Sequence, residues 1–206
     1  MMDCWGHGKV GLGLNLAILS MEGTGESYFT IASSPEEREA IEFLIRKASG
    51  VSATLFSAGT GTQVWGKGPL GRGFPLDQYR GRDLLMAGVG TAIAPLRSVI
   101  RSLSYWRHDL ARVVVVYSVR QPQDFCFVSE MDEWRQADVD VVQTVSRPDG
   151  TQWMGRAGYA QSHLADVLKR PSRPVAFICG MQQMIDQTRD QLLRLGVAPE
   201  NVLTNL

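Results

Sequence analysis

No apolar run in this 206-residue chain approaches the roughly 18 residues that a membrane-crossing helix needs. The longest are Val113–Val116 and the interrupted stretch Val10–Leu19. A membrane span is therefore not expected. Val10–Leu19 follows Lys9, but it contains Gly11, Gly13 and Asn15 and continues into Ser20-Met21-Glu22 without a small-residue cleavage site, so it reads as a strand and not as a secretory leader. Cysteine is scarce: Cys4, Cys126 and Cys179 stand far apart with no C-x-x-C pair. That excludes a self-contained four-cysteine zinc or iron–sulfur site and fits a reducing, cytoplasmic compartment. Histidine is as sparse, with His7, His108 and His163 scattered, and no metal site is expected. An excess of one charge is also lacking. The chain carries 21 Lys and Arg against 21 Asp and Glu, so no net field draws it to nucleic acid or to an anionic membrane. No internal repeat or low-complexity tract occurs. What remains is an ordinary globular composition, 44% hydrophobic and 20% charged, long enough for one large domain or two small ones.

The pattern changes near residue 80. Before it, Leu14–Leu19, Tyr28–Ala32, Ile41–Lys47 and Gln63–Gly66 are short β-prone runs separated by Gly, Ser and Pro, as in a small sheet or barrel. Gly66–Pro75 then packs four glycines and two prolines into ten residues and reads as a loop leading to a boundary. After residue 80, strands alternate with helices, the signature of a parallel sheet with covering helices. Strands are predicted over Asp83–Ala87, Arg112–Tyr117, Val139–Val145, Val175–Cys179 and Asn201–Leu206. Helices are predicted over Pro95–Trp106, Val128–Gln136, Ser162–Lys169 and Gln182–Leu195, the last stopped by Gly196. The expected fold is α/β with an N-terminal β part, residues 1–79 and 80–206 forming the two halves.

Ala87-Gly88-Val89-Gly90-Thr91-Ala92-Ile93-Ala94-Pro95 lies between the first strand of the second half and its first helix. A glycine turn there lets a pyrophosphate approach the backbone, and the following helix points unpaired N–H groups at the charge. Ile93 replaces the third glycine of the Rossmann fingerprint, and a tight connection without ligand is the alternative. The next strand ends at Tyr117-Ser118-Val119-Arg120, where an adenosine ribose would lie. Arg120 there favours a 2′-phosphate and hence NADP, while Asp124 nearby argues for NAD. Cys179-Gly180 closes another strand at the same edge; Gly180 would admit a flat ring, and Cys179 is either a neighbour of that ring or a plain buried thiol. Arg97 and Arg101, one turn apart, face either phosphate or solvent. Trp134 falls on an amphipathic helix and reads as packing. His108 and His163 read as surface residues.

These residues resemble the ferredoxin–NADP reductase superfamily of flavin-dependent nicotinamide oxidoreductases. Residues 87–98 look like its pyrophosphate loop, in which the departure at Ile93 is the norm. Ile178-Cys179-Gly180 with Met184 is similar to its C-G-x-x-x-M block beside the nicotinamide. Residues 28–35, Tyr-Phe-Thr-Ile-Ala-Ser-Ser-Pro, resemble the barrel motif R-x-[YF]-[ST]-x-x-S-x-P that cradles flavin, and residues 68–74 resemble the loop leaving the barrel. Trp153–Gln161 and the ending Asn201–Leu206 resemble the branch of the plant fruit-ripening oxidoreductase; the electron-transfer subunits of dihydroorotate dehydrogenase and the gamma subunits of sulfhydrogenases are slightly further off. On that likeness the C-terminus reads as complete, with no iron–sulfur segment.

The resemblance implies a truncated flavin-binding β-barrel followed by a Rossmann-like NAD(P)-binding domain. It also implies hydride transfer between nicotinamide and FAD, with electrons passed to a protein partner. It places Gly88, Gly90, Thr91 and Pro95 at the pyrophosphate, Ser118 and Arg120 toward the adenosine ribose, and Cys179 and Gly180 beside the nicotinamide, Cys179 as the catalytic neighbour. Phe29, Thr30 and Ser33, with Ser52 behind them, would contact flavin. Two departures stand out. Ser27 occupies the position of the flavin-pyrophosphate arginine, and Ser49-Gly50-Val51-Ser52 replaces G-x-x-[ST] with a serine at the glycine. The N-terminal half is also short of a first strand or two, which leaves edges open to a homodimer or a partner chain. A non-catalytic nucleotide-binding or interaction subunit with a degenerate barrel is the alternative.

Overall fold

A computed structural model describes residues 16–71, 73–168 and 173–204. The first half is a three-stranded antiparallel sheet of β1 (Leu16–Ser20), β2 (Glu26–Thr30) and β3 (Trp65–Leu70), in the order β2-β1-β3. Ala17 lies opposite Phe29 and Leu19 opposite Ser27. One face therefore gathers Ala17, Leu19 and Ile31, with Phe29, Phe43 and Leu55 packed against them, into a small core.

Three expectations are corrected in this half. Ile41–Lys47 is not a strand: it makes a single bridge, Ile31 to Phe43. Its backbone partners lie elsewhere, because the Glu42 carbonyl accepts from the Ala32 N–H at 2.8 Å and the Glu42 N–H donates to Ser33 Oγ at 3.1 Å. Val51–Ser57 forms a helix, α1, entered through Gly50 at φ 62°. Its run of hydroxyl and β-branched residues gives no helical signal, and one left-handed glycine decides the turn. Finally, β3 runs through Gly66–Leu70 instead of ending there. Pro69 is tolerated because β3 is an edge strand. Gly68 is required because a Cβ would stand 2.9 Å from the Leu16 carbonyl oxygen. Residues 10–15 of the first predicted strand lie outside the described residues.

The second half is a six-stranded parallel sheet, β7-β6-β5-β4-β8-β9. Its strands are β4 (Asp83–Val89), β5 (Val113–Val119), β6 (Val139–Val145), β7 (Arg156–Ala157), β8 (Pro174–Cys179) and β9 (Val202–Thr204). Every residue of β5 and of β8 is buried, as expected for strands covered on both faces. Helices α2 (Ile93–Trp106) and α3 (Met131–Gln136) belong to one face; α4 (Leu164–Val167) and α5 (Gln182–Arg194) belong to the other. Alternate residues divide accordingly: Leu84 and Met86 face the α2 side, Leu85 and Ala87 the α5 side. Two predicted helices are shorter than the sequence suggests, since Val128–Glu130 and Ala160–His163 form single 3₁₀ turns before α3 and α4. The two-residue β7 carries no sequence signal. Trp134 is buried, as packing requires. Lys169, Asn205 and Leu206 lie outside the described residues.

The connection between the halves docks on the second core. Phe74 stacks on Phe177 of β8 with ring centroids 3.8 Å apart and planes 4° from parallel, and Tyr79 meets the same ring edge-on at 6.2 Å.

Candidate functional site

The parallel sheet places its candidate residues at one edge by topology. From β4 the chain passes through α2 to β5 and then β6 on one side, and it returns through β8 on the other. The crevice at the carboxyl ends of β4 and β8 is thus the point where strand order reverses, where open α/β sheets hold ligands. Gly88 lies opposite Cys179 there, and Val89 opposite Ser118.

The loop after β4 is shaped for close approach. Gly88 is held under α2, where a Cβ would stand 2.8 Å from Leu96 Cδ1 and 3.3 Å from the Ala92 carbonyl oxygen. Gly90 has φ 55° and nothing within 4 Å of where a Cβ would stand. Thr91 is exposed beside it, and Pro95 is buried in the first turn of α2. That turn has no side-chain cap and no acidic residue; the Gly90 and Thr91 carbonyls take the Ile93 N–H and Pro95 has none, so an anion would meet the backbone of the Gly90–Ala92 turn that leads into α2. The N-terminus of α5, which begins just after Gly180, is likewise uncapped and without acid. A Cβ on Gly180 would come within 2.9 Å of Val89 Cγ1 and 3.0 Å of Met184 Sδ, which ties this glycine to the other side of the crevice.

Farther along the edge, Ser118 is buried on β5 between Val89 and Thr144, and the buried Thr144 Oγ1 has no hydrogen-bond partner among the described residues. A pair of hydroxyls at a carboxyl edge, one of them unpaired, suits a ribose. Arg120 is exposed just beyond β5, and its carbonyl accepts from the Arg147 N–H at 3.0 Å, so two arginines leave neighbouring strand ends together. Arg147 carries no motif of its own; only the β5–β6 register reveals it. Asp124 is partly engaged, one carboxylate oxygen accepting from the Gln121 N–H at 2.9 Å. Tyr117 lies under this corner, fully buried. It accepts from the Cys126 N–H at 3.0 Å and meets Phe125 edge-on at 5.1 Å, while Phe125 in turn packs on Trp153. Burial holds the Tyr117 phenol well above its ordinary range.

Cys179 is fully buried, and burial pushes its thiol far above the usual value. It is therefore neutral, which suits contact with a flat ring better than nucleophilic attack. The unfolded thiol ionises above about pH 8.5 while the folded one stays protonated, so this group's contribution is complete below that pH and declines above it. Unfolding free energy from urea titrations between pH 8 and 10 is expected to fall more gently for Cys179→Ala than for the parent chain, by up to about 1.4 kcal/mol per pH unit. Equal slopes would mean that the thiol ionises in the folded state.

Among the described residues, the flavin-motif side chains are engaged within the chain. Phe29 packs against the small core of the first sheet, and Thr30 lies opposite Leu16. Ser33 is buried with its hydroxyl accepting from Glu42, and the Ser52 hydroxyl donates to the Ser49 carbonyl at 3.0 Å.

Neither reading holds for Arg97, while Arg101 remains partly exposed on the helix face. Arg97 is only 3% exposed: its guanidinium makes two hydrogen bonds to Glu130, at 2.8 and 2.7 Å, donates to the Ala32 carbonyl at 3.0 Å and pairs with Glu42. Burial alone would lower its pKa, but the bonds and charges of Glu130 and Glu42 outweigh that and hold it above its usual value. Arg101 pairs with Glu37. A carboxylate already meets each arginine, so neither waits for phosphate. His163 caps the edge loop by hydrogen bonding the Ala157 carbonyl at 2.9 Å, and His108 is exposed. Among the described residues no group of His, Cys, Asp and Glu is arranged to hold a metal, and no helix is long and apolar enough to cross a membrane.

The oxidoreductase NAD-binding domain family matches residues 86–190. The chain is 30% identical over 192 residues to the gamma subunit of sulfhydrogenase 1 from Pyrococcus furiosus, covering 91% of this chain and 65% of that one. It is 28% identical over 187 residues to fruit protein pKIWI502 of Actinidia deliciosa, covering 86% and 58% respectively. The chain thus spans less than two thirds of the length of either relative. Among solved structures, a ferredoxin NADP⁺ reductase from Neisseria gonorrhoeae with bound FAD and NADP superposes with a TM-score of 0.73 at 19% identity, over 95% of this chain and 86% of that one.

Proposed function

Because the chain belongs to the ferredoxin–NADP reductase superfamily and carries its NAD-binding oxidoreductase domain, we propose that it is a flavin-linked NAD(P)H oxidoreductase that hands electrons to a protein partner. The observation that carries this reading is the edge between β4 and β8, where Gly88 lies opposite Cys179 and a Cβ on Gly180 would touch Val89. The glycine cradle fits a dinucleotide. Gly88, Gly90, Thr91 and the first turn of α2, with Pro95, take the pyrophosphate. Ser118 and Thr144 take the ribose. Arg120, supported by Arg147, takes a 2′-phosphate, which favours NADP; Asp124, partly engaged with Gln121, offers weaker competition. Gly180, crowded by Val89 and Met184, lies beside the nicotinamide, and Cys179 packs behind it as an uncharged wall.

On the flavin side, Phe29, Thr30 and Ser33, with Ser52 behind them, are the residues that would contact the ring, and Ser27 stands in place of the motif's arginine. The fit is therefore to the isoalloxazine end more than to the phosphates. Bound flavin and nicotinamide supply the hydride chemistry themselves; the chain orients them and shields them from water.

The test is an absorption spectrum of the purified protein before and after incubation with FAD and desalting, then after anaerobic NADPH and NADH. Retained flavin bands that bleach faster with NADPH are expected. A protein that retains no FAD and binds nucleotide by calorimetry would favour the other reading, a nucleotide-binding subunit whose barrel no longer holds flavin. The engagement of the Ser33 and Ser52 hydroxyls within the chain is the observation on that side.

A further inference from the structure

Helix α2 starts at the nucleotide loop, and its Arg97 lies five residues into it. The same guanidinium reaches into the first half of the chain. It holds the Ala32 carbonyl at 3.0 Å and the Glu42 carboxylate, and the backbone of these two residues is already joined, Ala32 N–H to Glu42 carbonyl at 2.8 Å and Glu42 N–H to Ser33 Oγ at 3.1 Å. On its other side Glu130 grips it with both oxygens, and the ring of Phe127 covers it, 4.4 Å from centroid to guanidinium carbon. Phe127 holds a left-handed backbone at φ 56° to do so, a conformation rare for a bulky residue and kept only where its surroundings impose it. One turn further, Ser102 Oγ meets Ser34 Oγ and Glu36, each at 2.9 Å, and Arg101 meets Glu37. One face of α2 is thus bound to the segment that follows the flavin motif.

We propose that Arg97 is a positioning residue: it fixes Ala32, Ser33 and Glu42 against the helix that begins at the nucleotide loop, and so sets where a flavin edge stands relative to the nicotinamide crevice. This rests on the flavin reading above. The chemistry favours an arginine at this point, because a planar fork serves three acceptors in three directions, whereas a lysine offers a single point charge.

Arg97→Lys keeps the buried charge and removes the fork. Three measurements on this variant and the parent test the role: amide hydrogen exchange, FAD affinity by fluorescence titration, and NADPH affinity by calorimetry. Exchange over residues 31–43 is expected to quicken about tenfold and the FAD Kd to rise about tenfold, about 1.4 kcal/mol, with the NADPH Kd within about twofold of the parent. Unchanged exchange and unchanged FAD affinity would overturn the proposal. So would exchange that quickens equally through β4, β5 and β8, since that marks a general loss of structure. If Arg97→Lys fails to fold, Glu42→Gln removes only the outer partner, and the same pattern is expected at about threefold. A parent chain that takes up no FAD sinks the flavin reading separately; the exchange pattern over residues 31–43 then decides the clamp by itself.

Discussion

Replacing Gly88 by valine is expected to weaken nicotinamide nucleotide binding by at least about thirtyfold, roughly 2 kcal/mol, in a chain that still folds. Gly88 lies where β4 passes under the start of α2. A Cβ there meets the tip of Leu96 at 2.8 Å and the carbonyl oxygen of Ala92 at 3.3 Å. The leucine tip can turn aside, but the carbonyl is backbone at the helix entrance, so the helix itself has to rise from the strand. Overpacking of this kind costs about 1–3 kcal/mol of stability. It also moves the Gly90–Ala92 turn that is to receive the pyrophosphate, which is why the loss in affinity should exceed that of a remote core change. Gly88→Ala, adding one carbon, should show a smaller effect of about threefold. Calorimetry with NADPH and NADH provides the measurement. A folded Gly88→Val chain with parental affinity would remove the nucleotide from this loop.

The largest effect on stability is expected at Phe177. Its ring is fully buried, stacked on Phe74 and edged by Tyr79. Phe177→Ala deletes the ring on which the connection between the two halves rests, and a cavity of that kind costs about 3–5 kcal/mol. In a chain of this size that lowers the melting temperature by about 10 °C. Urea unfolding followed by tryptophan fluorescence is the check. A loss below about 1 kcal/mol would mean that Phe74 and Tyr79 do not dock on the sheet in solution.

The parallel half was readable because its signals are local. Val113–Val116 is an unbroken apolar run between turn residues, and it forms the centre of a strand buried on both faces. Gly88 and Gly90 between an apolar run and a helix mark a β–α turn wherever they occur, and the Cys179-Gly180 pair falls at the end of the next apolar run for the same reason. The first half was harder to read. Ile41–Lys47 has the alternation of a strand, yet Glu42 turns its backbone to Ala32 and Ser33 and its carboxylate to Arg97. Those partners are distant in sequence, and alternation does not report them. Gly66–Leu70 has the composition of a loop and becomes an edge strand, because an edge demands few ladder bonds and Gly68 must pass close to the Leu16 carbonyl.

The amino-acid sequence by itself determined that this is an α/β chain with a β-rich start, where its glycine turns fall, and which strand ends carry Ser118, Arg120 and Cys179. These follow from hydrophobic period and turn chemistry, which act over a few residues. Only the tertiary structure decided that Gly88 and Cys179 face each other across one crevice and that Arg147 stands beside Arg120. It alone also decided that Arg97, one turn from the nucleotide loop, is claimed by Glu42 and Glu130. Strand order and register settle such pairings, and a buried charge takes whichever carboxylates the fold brings within reach.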